Sequence, residues 1–225
     1  MYKRQYVDTV LALKKEYDKD IEIHLGLETE YFPRFWDQLI DFLSDYPFEY
    51  FVLGQHSLGN EIEKILYSGH GTTDGSYLKQ YVDQCLAGID TGKYLYLAHP
   101  DLFLFNGDEA VFDREYRRLC REVKKRNIPL EINFLGLMEE RWYPNEKFWK
   151  IAGEEGNPAV FGCDAHTPKA VWDPETEQKA LQLAAKYGLK VQETVPMPPL
   201  RSSAAPPSAS VSYTHLRAHE TKANL

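Results

Sequence analysis

Apolar positions follow two alternating rhythms along this chain. Over 6–19, Val7, Val10, Leu11, Leu13 and Tyr17 recur at roughly helical spacing among Lys and Asp, which predicts an amphipathic helix. Residues 21–25 then alternate as a strand does, and Gly26 stops them. The exchange continues with a helix at 36–43, a strand at 50–53 ending at Gly54, a helix at 76–89 and a strand at 94–98. A charged helix at 112–126, a strand at 128–133, a helix at 144–152 opened by Pro144 and a strand at 159–161 follow. A helix at 174–187, closed by Gly188, and a short strand at 189–192 complete the series. Strands that alternate with helices predict right-handed βαβ units and a parallel α/β sheet. One domain is expected over 6–195.

Composition narrows the partners. The chain has 225 residues, 43% hydrophobic and 27% charged, enough to bury a real core. No apolar run approaches the ~18–20 residues of a membrane span, and no signal peptide is expected. The 3 cysteines, Cys85, Cys120 and Cys163, are too few and too scattered for a disulfide framework, so a reducing cytoplasm is expected. A formal charge of −8 offers no basic stripe for a nucleic-acid backbone, and small-molecule chemistry is the better expectation. Residues 1–5 and 212–225 resemble translated adaptor DNA, and the stretch 196–210 is rich in Pro, Ser and Ala. A disordered, non-native tail is therefore expected over 196–225. His215 and His219 would share a helix face by spacing, but they fall in that tail.

The chemistry gathers at strand ends. Glu28 and Glu30 follow the first strand, His56 the second and His99 the third; Asn133 ends the fourth, and Asp164 and His166 follow the fifth. Carboxylate oxygens and imidazole nitrogens are good ligands for Zn²⁺, Mn²⁺ or Fe²⁺. In a closed (β/α) barrel the C-terminal strand ends converge on the face that carries the chemistry. Taken singly, each residue has a plainer reading, as a solvated loop acid or a hydrogen-bonded core histidine. Their recurrence at successive strand ends favours a metal site. His24 lies within the predicted strand and is expected to be structural. His70 falls in the glycine-rich loop 59–75, where surface, lid and substrate roles stay open. Cys163 reads as a small packed turn residue or a thiolate ligand, and Trp142 as pocket wall.

Gly26-Leu27-Glu28, Gly54-Gln55-His56, Ala98-His99-Pro100-Asp101, Glu131-Ile132-Asn133 and Gly162-Cys163-Asp164-Ala165-His166 resemble later motifs of the PHP (polymerase and histidinol phosphatase) superfamily. The stretch from Arg141 to Asn145 is most similar to the histidinol-phosphate phosphatase branch. The resemblance implies a distorted (β/α)7 TIM-like barrel with up to three Zn, Mn or Fe ions. It implies that Glu28 bridges two metals, His56 and His99 hold the second, Asp164 joins the first and His166 the third. Glu28, Asp164 and His166 would be the catalytic set. The family's His-x-His motif on its first strand has no counterpart here, so the barrel is expected to lack about the first two βα units. Cys163 stands where the family commonly has serine.

The implied activity is hydrolysis of a small phosphorylated metabolite, L-histidinol phosphate first among them, to the alcohol and phosphate. Divalent ions would offset phosphoryl charge and acidify a water. Arg141 is the candidate for binding nonbridging phosphate oxygens, against the plainer reading of a surface pair with Glu139 or Glu140. Rival expectations are a PHP nuclease, disfavoured by the acidic balance, and an inactive metal-binding fragment with an open, self-associating edge. Metal identity and oligomeric state stay open.

Overall fold

A computed structural model describes residues 2–59, 66–197 and 210–212. Helix α1 (Tyr2–Glu16) leads into β1 (Gly26–Thr29), α2 (Trp36–Ser44) and β2 (Tyr50–Leu53). Then follow α3 (Gly75–Asp90), β3 (Tyr94–Leu97), α4 (Glu109–Lys125), β4 (Leu130–Asn133) and the short α5 (Phe134–Met138). The chain continues through α6 (Glu146–Glu155), β5 (Pro158–Gly162), α7 (Pro174–Lys186) and β6 (Lys190–Val191). Strands β1 to β6 form one sheet in sequence order. Every neighbouring pair is parallel. The α/β class and the parallel sheet are thus as expected.

The central strands β2 to β5 are buried on both faces, which is why they read as nearly continuous apolar runs, whereas the edge strands β1 and β6 are partly exposed. Phe51, Leu53, Tyr94, Leu97, Leu130 and Ile132 pack under the helices in the main core. Val52, Leu95, Tyr96, Ala98 and Val160 form a second cluster with Val195. Val195 belongs to β7 (Thr194–Pro196), which pairs antiparallel with β8 (Ser210–Ser212). This pairing lies partly within the stretch expected to be linker and tail; the remainder of that stretch beyond Met197, with His215 and His219, is outside the described residues. Among the described residues, no helix is long and apolar enough to cross a membrane.

Several predicted boundaries shift, each for a local reason. The alternation at 21–25 forms no strand; β1 starts at Gly26, opposite Tyr50. The Glu49 side chain captures the Leu25 N–H at 3.0 Å and His24 Nδ1 at 2.8 Å. His24 is therefore structural, but outside a strand. The shift places Glu28 inside β1 instead of after it. Helix α4 starts at Glu109, ahead of the expected 112, because Asp108 accepts the N–H groups of Ala110 and Val111. Helix α6 starts at Glu146 because Asn145 is its cap; Pro144 precedes the helix and follows a cis peptide bond. The last predicted strand shrinks to Lys190–Val191, and α5, capped by Asn133, was not predicted.

Candidate metal centre

Glu28, His56 and His99 converge from three neighbouring strands. The Glu28 Oε1 atom lies 3.3 Å from His99 Nε2 and 3.7 Å from His56 Nε2. The two imidazoles meet edge to face with centroids 4.8 Å apart. One donor atom from each residue lies within 4.8 Å of the others, which makes this a possible ligand set for one divalent cation. The carboxylate fits there because position 54 is glycine: a Cβ on Gly54 would sit 1.7 Å from Glu28 Oε1.

Asp164 and His166 lie in the turn after β5; they line the same cleft but are not within the 4.8 Å group of Glu28, His56 and His99. The Asp164 carboxylate accepts Asn133 Nδ2 at 3.2 Å. His166 Nδ1 lies 2.9 Å from the Asp164 carbonyl oxygen, which can only accept, so Nδ1 carries the proton and Nε2 presents a lone pair in the neutral ring. Glu28, His56, Asp164, His166 and Arg141 line one cleft of ≈ 360 Å³, together with Glu30, Tyr67 and Tyr143. His99 stands behind it, 2% exposed. Arg141 is tethered beside the cleft, donating to Glu139 at 2.8 Å and to the Tyr143 hydroxyl at 2.7 Å. The plainer reading of Arg141, a pair with Glu139, is present, and the residue also lines the cleft.

Charge and burial compete at this centre. Burial alone would raise the Glu28 carboxyl, but the hydrogen bond from His99 and the charges of His99, His56 and His166 outweigh it and hold the group below its ordinary range. Burial, then His99, push His56 down. His99 rises despite burial, through its Glu28 hydrogen bond and the charges of Glu131, Glu28 and Asp164. A group of opposed charges kept together in this way suits a cation that both ligand types can share.

Two backbones at the centre adopt left-handed conformations that side chains rarely choose: His99 at φ 29° and Asp164 at φ 46°. Such conformations cost roughly 1–3 kcal/mol each and persist where surrounding bonds over-determine them.

Two carboxylates that support the site received no definite role from sequence. Glu30 Oε1 accepts the N–H groups of His56 at 2.6 Å and Ser57 at 2.7 Å. Glu131 is 4% exposed in β4, and burial raises its carboxyl. Its signal was present: a glutamate in a short, doubly buried strand whose other polar member is Asn133 demands hydrogen-bond partners. His70 is exposed in a turn at Ser68–His70, against the Tyr67 ring, and is not among the cleft-lining residues. Trp142 donates to the Leu102 carbonyl, while Cys163 is half-buried with its thiol raised by burial.

No family model matches the chain. It is 27% identical over 192 residues to a histidinol-phosphatase of Bacillus subtilis (strain 168), covering 72% of this chain and 70% of that protein. It is 24% identical over 186 residues to a probable histidinol-phosphatase of Schizosaccharomyces pombe, covering 74% of this chain and 61% of that protein. Its fold is similar to the crystal structure of a histidinol phosphate phosphatase from Lactococcus lactis subsp. lactis, complexed with zinc, L-histidinol and phosphate. That match has a TM-score of 0.64 and 20% identity, and covers 88% of this chain and 78% of the other. The resemblance read from the strand-end motifs is borne out by these relatives.

Proposed function

We propose that this relative of the histidinol-phosphatases is a metal-dependent phosphoesterase that hydrolyses L-histidinol phosphate to L-histidinol and phosphate. The observation that carries the reading is the convergence of Glu28, His56 and His99 within 4.8 Å, beside a cleft that Asp164, His166 and Arg141 also line. The curated relatives are named for this activity, and the structural neighbour holds zinc, histidinol and phosphate.

Glu28, His56, His99, Asp164 and His166 would hold the divalent ions, with Zn first among Zn, Mn and Fe. When bound, such ions supply positive charge against phosphoryl oxygens and acidify a water. The chain's own residues orient the ester. Arg141, its Nε and Nη2 held by Glu139 and its Nη1 donating to Tyr143, would turn its remaining N–H groups to nonbridging oxygens. The hydrogen bond from His166 Nδ1 to the Asp164 carbonyl keeps Nε2 available as a lone-pair donor. Tyr67, Leu102 and Leu135 supply the less polar wall on which the organic part of the ester rests.

The sheet order supports a wall of the distorted (β/α)7 barrel. Its strands run in sequence order without the reversal that marks a doubly wound sheet, and their C-terminal ends carry the cleft. The barrel domain is taken as 6–195. The formal charge of −8 disfavours the nuclease reading.

Phosphate release from L-histidinol phosphate, against p-nitrophenyl phosphate and with or without chelator, tests the proposal. Faster, chelator-sensitive turnover of the histidinol ester is expected. Equal turnover of both esters would refute the substrate assignment, and chelator-insensitive turnover the metal dependence.

A further inference from the structure

We infer that Glu131, which is none of the candidate ligands, is a positioning residue that fixes His99 and Asp164 together. The inference rests on reading the cleft as a metal centre. Glu131 Oε2 accepts the backbone N–H of His99 at 3.0 Å and Asn133 Nδ2 at 3.0 Å. The same Asn133 nitrogen donates to Asp164 Oδ2 at 3.2 Å. Asn133 cannot turn over, because its Oδ1 accepts the Gly136 N–H at 2.9 Å. One buried carboxylate therefore reaches both left-handed residues of the centre, one through its backbone and one through a fixed amide.

Among the described residues, no lysine or arginine pairs with Glu131. Burying a carboxylate without a cation is costly, and donors aimed at it are what make it tolerable. Space is reserved for it as well: a Cβ on Gly162 would lie 1.7 Å from Glu131 Oε1.

His99 has particular need of this support. A metal-binding histidine is usually oriented by an acceptor on its second ring nitrogen. In His99 that nitrogen, Nδ1, is buried and has no hydrogen-bond partner among the described residues. With no acceptor on that nitrogen, the aim of the ring leans on packing against Tyr143 and on a backbone at φ 29° whose N–H the Glu131 carboxylate accepts. Glu30 serves His56 in a parallel manner, accepting its backbone N–H at 2.6 Å. His56 and His99 are thus each held at the main chain by a glutamate from a neighbouring part of the sheet, Glu30 just after β1 and Glu131 within β4.

Zn²⁺ affinity by competition calorimetry, the visible spectrum of the Co²⁺-loaded protein and unfolding of the metal-free protein together test the assignment on the full chain. Glu131→Gln keeps the shape and removes the charged acceptor. It is expected to stay folded by circular dichroism, bind Zn²⁺ about 10- to 100-fold more weakly and shift the Co²⁺ bands. Glu115→Gln, at a buried carboxylate of α4, controls for loss of any buried acid and is expected to leave affinity unchanged. Asn133→Ser provides a second route should Glu131→Gln not fold. Serine still caps α5 but is too short to reach Asp164, so weaker Zn²⁺ binding with a shifted Co²⁺ spectrum is again expected. A merely structural glutamate would lower the melting temperature and leave affinity and spectrum of the folded protein intact. That result in Glu131→Gln, or in Asn133→Ser if the first does not fold, overturns the inference while the metal centre stands. A wild-type chain that takes up no Zn²⁺ overturns both.

Discussion

Glu28 and Glu131 hold the same position in two different strand pairs. Glu28 lies opposite Val52 and over Gly54, and Glu131 lies opposite Val160 and over Gly162. In both pairs a candidate ligand follows two residues after the glycine: His56 in one, Asp164 in the other. Surroundings separate the two acids. Glu28 opens onto the cleft and two imidazoles, whereas Glu131 is closed in and bonded to backbone and amide.

Alanine at the two glycines should therefore have different effects. In Gly54→Ala the half-exposed Glu28 carboxylate can swing aside, so metal affinity falls while the melting temperature stays near wild type. In Gly162→Ala the buried Glu131 has nowhere to go, and a loss of about 1–3 kcal/mol in stability is expected from overpacking. Denaturant unfolding and Zn²⁺ titration of both variants check the contrast; equal effects would mean that the glycines are interchangeable.

Arg141 should act on substrate more than on fold. Its removal takes away charge-assisted hydrogen bonds to phosphate, each worth roughly 1.5–3 kcal/mol, so Arg141→Ala is expected to lower kcat/KM about 10- to 100-fold. Arg141→Lys should recover little, because a point charge lacks the planar fork. Unchanged kinetics on phosphate esters in Arg141→Ala would leave the residue as a surface partner of Glu139.

Glu49 ties α1 to the start of the sheet through Lys14, His24 and the Leu25 N–H. Burial works to raise this carboxyl, but its hydrogen bonds with Lys14, Leu25 and His24 outweigh that and hold it below 4.5. Its stabilisation is complete above the unfolded value and is lost as pH falls through the lowered folded one. Partial exposure limits it to about 1 kcal/mol. Urea unfolding at pH 7 and pH 3 should show Glu49→Gln less stable than wild type at the higher pH only.

The thiols should be ranked by burial. Cys85 is fully buried and pushed up to about 12, and Cys120 is raised further by burial. Mass spectrometry after brief iodoacetamide treatment at pH 8 should find both unmodified in the native protein, with any label on half-buried Cys163. Rapid labelling of Cys85 without unfolding would contradict this packing.

Much of the site was legible because its strands are short, doubly buried and followed at once by polar residues. His56, His99, Asp164 and His166 each follow such a run, and all but the deeply buried His99 line the cleft. The first strand misled because 21–25 alternates as an edge strand would, while a distant side chain, Glu49, had claimed its backbone. Periodicity carries no trace of a contact between residues 24 apart in the chain. The Glu28 and Glu131 correspondence was faintly visible, as Leu27-Glu28 and Leu130-Glu131 precede Val52-Leu53-Gly54 and Val160-Phe161-Gly162. Its meaning required register, since only the strand pairing shows each glutamate standing over its neighbour's glycine. The roles of Glu30 and Glu131 were hidden for a related reason: they act on the main chain of other residues, which side-chain chemistry in a sequence does not announce.

The central claim is that Glu28, His56 and His99 form a metal centre. Elemental analysis of the purified chain, with Glu28→Ala, His56→Ala and His99→Ala beside it, tests this most directly. The account predicts bound Zn, Mn or Fe in wild type and a loss of metal in each variant that remains folded by circular dichroism. Wild-type metal content retained in all three folded variants would contradict it.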